Sequence, residues 1–216
     1  PLFKNEFAFE TITTLRDKIF DEELINYYLE ESQEIDTLLD ICIRTNSGGE
    51  PLSFSNLLMS YTTANWTKKD ARKEFADLIR QVYFIGKPNF IINADLILKT
   101  CLVLFKENIK FQVKNFDNAS VVQFETNWDA ISKAIIEAFK LIESWGFNDS
   151  NFKAKNAIIP IVYYIYNNNL QNIINNQAKL LVVKPIIRQW LCMTLLKGVF
   201  GGQPDTVLTR IKKVLE

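Results

Sequence analysis

The 216-residue chain contains no histidine. That one absence removes the commonest general base, the commonest metal ligand and every Ser-His or Cys-His nucleophile pair. It also excludes an HNH nuclease site within this chain. Net charge is lacking as well: 25 Lys and Arg face 25 Asp and Glu. No overall field therefore draws the chain to nucleic acid or an anionic membrane, and such binding would need a local patch. Cysteine is scarce. Cys42, Cys101 and Cys192 lie far apart in apolar surroundings, without the paired spacing of a zinc site or a disulfide framework. Buried, reduced thiols and a cytoplasmic location are the expectation. No apolar run has the length of a membrane span, and the N-terminus has no signal-peptide layout, so a soluble chain with no membrane partner is expected. It begins at Pro1 without a methionine and reads as a fragment or processed piece with sequence missing ahead of it.

What is present is an ordinary globular balance, 48% hydrophobic and 23% charged. The pattern is that of an all-α, compact multi-helical array forming one domain over residues 1–216. Helical spacing covers residues 9–20. Leu24–Leu29, rich in β-branched and aromatic side chains, favours one short strand instead. Ile35, Leu38, Leu39, Cys42 and Ile43 predict a helix from Gln33 that ends at Asn46-Ser-Gly-Gly49. Ser53 is suited to cap the next helix, which carries Leu57, Leu58 and Tyr61. Thr67-Lys-Lys-Asp70 resembles a capping box ahead of the stripe Ala71, Phe75, Leu78, Ile79 and Val82. Asn93 begins a helix through Phe105 that is apolar nearly all round, hence central. One long helix is predicted from about Glu125 to Trp145. Pro160 predicts a kink or late start in the segment 152–166, and Pro185 interrupts or begins the next helix. Asp205 caps a last helix ending near Leu215.

Two segments carry candidate chemistry. In Arg44-Thr-Asn46-Ser-Gly48-Gly49-Glu-Pro51-Leu52-Ser53, spacing alone is met by a helix C-cap, a turn and a new N-cap with no ligand. The alternative is a phosphate site: Gly48 and Gly49 let backbone amides approach, Arg44 supplies a planar donor, and Ser53 sits at a positive helix N-terminus. Lys68, Lys69, Arg72 and Lys73 form two i, i+4 rows at a predicted helix start, where cations oppose the macrodipole. They are either a solvated face softened by Asp70 and Glu74 or a DNA-phosphate contact. Trp66, Trp128, Trp145 and Trp190 fit core packing better than base stacking. Asp21, Glu22, Glu23, Glu30 and Glu31 read as surface carboxylates. No nucleophile pair or metal cluster is visible.

The run Leu39-Asp-Ile-Cys-Ile-Arg44-Thr-Asn46-Ser-Gly-Gly49-Glu-Pro-Leu52-Ser53, followed by Asn56-Leu-Leu-Met-Ser60 and Trp66, resembles the hallmark segment of the GmrSD-type restriction endonuclease domain family. Cys42 stands where that family often has phenylalanine. Ala157-Ile-Ile-Pro-Ile-Val-Tyr-Tyr164, Ile187-Arg188-Gln-Trp190 and Gly198-Val-Phe-Gly201 are similar to its C-terminal pattern. The resemblance implies defence against modified foreign DNA. It further implies a ParB-like N-terminal core with an Asp-Gly-Gln-Gln-Arg motif for nucleotide binding and hydrolysis, and often a separate HNH nuclease domain or subunit. The motif is absent from this chain, so the resemblance implies its helical part without the catalytic core. It holds no cofactor of its own, and the parent protein takes a nucleotide triphosphate. The competing expectation is a helical protein-interaction module with no ligand site.

Overall fold

The computed structural model of the chain describes residues 6–22, 29, 31, 37, 41, 54–109, 116–172 and 175–215. Among the described residues every regular element is helical, with nine α-helices, one 3-10 turn and no strand. The fold class read from the pattern is therefore that of the protein. The chain divides into two units, Pro1–Leu38 and Leu39–Glu216.

The first unit contains helix α1, Glu6–Phe20, with Glu6 in its first turn and Lys18 in its last, where each charge complements the helix dipole. Lys18 also pairs with Glu22 at 2.6 Å. No residue of α1 is buried. Of the predicted strand, residues 24–28 lie outside the described residues, and Leu29 is exposed and in no regular element. The helix predicted from Gln33 is described only at Thr37 and Ile41, both helical.

In the second unit the helices are α2 (Phe54–Asn65), α3 (Ala71–Tyr83), α4 (Ala94–Phe105), α5 (Asn118–Thr126), α6 (Trp128–Glu143), α7 (Ile158–Asn167), α8 (Gln177–Leu196) and α9 (Pro204–Leu215). Helix α3 buries Ala71, Phe75, Leu78 and Val82 of the stripe that its sequence foretold, with Ile79 half-buried beside them. Its cap corrects the expectation: the helix starts after Asp70, whose side chain accepts from the Lys73 amide at 3.2 Å, so Thr67, Lys68 and Lys69 precede it. At its far end Gly86 adopts φ +82°, a left-handed backbone that side chains avoid. Asn93 caps α4 by accepting from the Leu96 amide. Helix α4 is the centre of the unit and buries Leu96, Ile97, Leu98, Cys101, Leu102 and Val103.

The helix expected from about Glu125 to Trp145 is α6, Trp128–Glu143, while Glu125 belongs to α5. Asn127 ends α5 and begins α6, and the side chains of Thr126 and Asn127 bond the carbonyls of Val122 and Gln123, the local competition that weakens a helix at such residues. Helix α5, capped by Asp117, carries no strong periodicity and went unforeseen. Helix α6 buries Trp128, Ile131, Ile135, Ala138 and Ile142 and packs along α7. The 3-10 turn Lys155–Ala157 precedes α7, so Pro160 falls in the first turn, where its missing N–H costs nothing; this is the late start. Helix α8 instead runs through Pro185. Burial of Ile187, Leu191 and Thr194 farther along it offsets the missing backbone bond. Pro204, not Asp205, opens α9, as suits a residue with no donor to lose.

Candidate functional site

The Arg44, Asn46, Gly48, Gly49 and Ser53 segment lies outside the described residues. The described chain resumes at Phe54, where α2 begins, and the first turn of α2 contains no acidic residue. Burial of Leu58 and Thr62 anchors this helix, and the Ser55 hydroxyl donates to Asp95 Oδ1 at 2.9 Å. That bond ties the first turn of α2 to the first turn of α4. Asp95 is neutralised by Lys99 at 3.1 Å.

Beside Asp95 lies a polar cavity of about 250 Å³ lined by Ile91, Ile92, Asn93, Asp95, Leu96, Lys155 and Asn156. Lys155 Nζ stands 5.5 Å above the Phe90 ring and pairs with Asp149. That bond, helped by the Ile91 amide, holds the Asp149 carboxyl below the ordinary carboxylate range. No local sequence signal marks this cavity, because its lining joins residues 91–96 to 155–156.

The four cations at 68–73 do not form the two helical rows that were expected. Lys68 and Lys69 precede α3, and their backbone amides donate to one carboxylate oxygen, Glu125 Oε1, at 2.5 and 2.8 Å. The Glu125 side chain is buried at 4% exposure. Burial works to raise its pKa, but the amides of Lys68, Lys69 and Thr67 and the Lys68 charge outweigh it and hold the carboxyl below its ordinary value. A buried anion thus sits in a cradle of backbone donors. Lys69 Nζ is taken by Asp129 at 2.6 Å, and this hydrogen bond holds the lysine above its ordinary pKa. Lys68, Arg72 and Lys73 are exposed. They lie past the C-terminal end of α2, whereas the cavity lies at its N-terminal end, and twelve residues of helix separate the two by about 18 Å.

Two of the tryptophans are core. Trp66 and Trp128 are buried, edge to face at 5.2 Å, with Phe75 stacked on Trp128 at 4.7 Å. Their indoles donate to the Val121 carbonyl at 3.1 Å and to Glu74 Oε2 at 2.7 Å. Trp145 is half-buried, and the buried Nε1 of its indole has no hydrogen-bond partner. Trp190 lines a second opening, an apolar groove of about 200 Å³ between α7, α8 and α9, with Pro160, Tyr164, Ile186, Ile211 and Leu215. Sequence reasoning missed this groove.

Asp21 and Glu22 are exposed and paired with Arg16 and Lys18, and Glu31 is exposed; Glu23 and Glu30 lie outside the described residues. Burial raises the pKa of the Cys101 thiol and keeps it protonated; Cys192 is half-buried, and Cys42 lies outside the described residues. Among the described residues no group of three His, Cys, Asp or Glu could hold a metal ion, and no helix is long and apolar enough to cross a membrane. No protein-family model matches the chain, and no curated protein matches it.

Proposed function

We propose that the chain is the helical portion of a modification-dependent restriction or defence protein, and that Arg44, Asn46, Gly48, Gly49 and Ser53 contribute a nucleotide- or DNA-phosphate contact. Catalysis belongs to a ParB-like core supplied by the parent protein, with an HNH nuclease domain or subunit as a further partner. The reading rests on the Arg44–Ser53 motif, and one structural observation supports it. The first turn of α2, two residues past Ser53, is bonded through Ser55 to the rim of the polar cavity. Amides at a helix N-terminus favour an anion, and Lys155, paired with Asp149, and the Asn93 and Asn156 side chains line the same space beside the Asp95 carboxylate, itself paired with Lys99.

Ligand size separates the two chemistries. On this reading a nucleotide triphosphate contacts the cavity end alone. A ligand that also reaches Lys68, Arg72 and Lys73, about 18 Å away, is a polymer spanning roughly five base pairs.

In the protein that carries this chain, Arg44→Ala and Asn46→Ala should each weaken binding of a fluorescent nucleotide triphosphate or labelled duplex. Loss of a charge-assisted contact worth about 1.5 to 3 kcal/mol is about a 10- to 150-fold loss in affinity. Joint replacement of Lys68, Arg72 and Lys73 by Gln should weaken the duplex alone. Full affinity for both ligands in the Arg44 and Asn46 variants, at unchanged stability, would reduce the segment to a connector.

A further inference from the structure

We infer that the polar cavity beside Asp95 receives a nucleobase, with the phosphates of the same ligand outside it. The inference deepens the phosphate reading and rests on it for where the rest of the ligand lies. It begins with the charges of the lining, which cancel.

Asp95 is paired with Lys99 at 3.1 Å and Lys155 with Asp149, so each ionised group of the wall already has its counter-ion. A phosphate drawn inside would shed water and meet only committed cations, a desolvation that nothing in the lining offsets. A neutral group escapes that cost. The rest of the wall combines the aliphatic side chains of Ile91, Ile92 and Leu96 with the carboxamides of Asn93 and Asn156.

The hydrogen-bonding capacity of those carboxamides is largely unspent. Asn93 Oδ1 accepts from the Leu96 amide at 3.2 Å as the cap of α4, which leaves its amide nitrogen over. Asn156 is half-buried, and among the described residues its side chain has no hydrogen-bond partner. A carboxamide presents a donor and an acceptor side by side, and that pair matches the edge of a base bidentately, as asparagine reads adenine. Aliphatic side chains suit the flat faces of the same ring. A sugar would use the amides but offers no flat apolar face. The base alone uses both parts of the lining. Its place agrees with the phosphate reading: Ser55, two residues past the Arg44–Ser53 segment, donates to Asp95 Oδ1 at the rim.

The test uses the protein that carries this chain and separates base from phosphate by the choice of ligand. Adenosine, guanosine, cytidine and thymidine have the base and no phosphate; inorganic tripolyphosphate has the charge and no base. Each nucleoside is titrated to about 5 mM by saturation-transfer difference NMR, a range that more than half-fills a site of millimolar affinity. At least one should bind. Asn156→Ala should weaken that binding at least about fivefold, the low end for a lost bidentate contact, and leave tripolyphosphate binding unchanged. Ile91→Trp, at an exposed position of the wall, should block the nucleoside too and serves if the first variant unfolds. Arg44→Ala should do the converse, weakening tripolyphosphate and sparing the nucleoside.

A protein that binds tripolyphosphate but no nucleoside overturns the inference and leaves the phosphate reading standing. One that binds a nucleoside through Asn156 but no tripolyphosphate keeps the base site and removes the phosphate contact. Nucleoside binding that survives both Asn156→Ala and Ile91→Trp overturns the inference as well. Displacement of the nucleoside by a short single-stranded oligonucleotide, and not by its abasic counterpart, would assign the base to a DNA strand; displacement by nucleotide triphosphate alone would assign it to a free nucleotide, and either supports the site.

Discussion

Removing the Glu125 carboxylate should unfasten the segment that joins α2 to α3. Oε1 accepts from the Lys68 and Lys69 amides at 2.5 and 2.8 Å, and bonds to a charged acceptor are worth about 1.5 to 3 kcal/mol each. Thr67 and Lys68 are exposed, so water replaces part of what Glu125→Ala removes, and the expected loss is about 2 to 4 kcal/mol. Glu125→Gln keeps an acceptor of the same shape without the charge and should cost about 1 to 2 kcal/mol.

The sign with pH follows from the depressed pKa. The contribution of Glu125 is fully present above its ordinary value of 4.5 and is lost as pH falls through that value toward the folded one. Urea unfolding followed by circular dichroism between about pH 3 and 7 measures both effects. The Gln variant should lack one component of the acid-side fall seen in the wild type. An Ala variant within about 0.5 kcal/mol of the wild type at unchanged m, the scatter of ordinary surface changes, would refute the cradle's importance. A Gln variant with the full wild-type slope would refute the pH argument.

Asp117 caps α5 through the Ser120 amide at 2.8 Å and pairs with Lys106 at 2.8 Å, and Asp117→Ala should cost about 1 kcal/mol in urea unfolding. Its bond to Lys106, then those to Ser120, hold the carboxyl at about 2, so its share is present above 3.8 and disappears between there and about 2; a variant whose deficit persists unchanged to the bottom of that range would contradict this. Trp128→Phe leaves a ring to stack on Phe75 but removes the indole donor to Glu74, for an expected loss of about 1 to 3 kcal/mol. A double-mutant cycle with Glu74→Gln should return a coupling of about 1 kcal/mol, and zero coupling would show that the bond carries no stability.

What could be read from the sequence was local. The α3 and α6 stripes and the Asn93 cap depend only on residues three or four apart, so periodicity exposes them. The start of α3 was decided elsewhere. Thr67 and Asp70 both have capping chemistry, and the choice is fixed by Glu125, 57 residues beyond Lys68. Lys69 was likewise placed among open cations because Asp129, its partner, is 60 residues away. Val182, Ile186, Met193 and Leu196 of α8 are exposed, but apolar positions at helical spacing read the same whether they face the core or water. The polar cavity at the start of α2 joins segments about sixty positions apart and left no local trace. The Arg44–Ser53 motif, legible as a pattern, lies outside the described residues.

The placement of the indoles has a spectroscopic consequence. Trp66, Trp128, Trp145 and Trp190, the chain's four tryptophans, all belong to the Leu39–Glu216 unit, and Pro1–Leu38 has none. Tryptophan emission therefore reports one unit alone, and it does so from buried rings whose red shift on exposure should be large for Trp66 and Trp128. Far-ultraviolet dichroism counts the helix of both. If the two optical signals separate on heating, the difference between them is the melting curve of the N-terminal unit, obtained without a label.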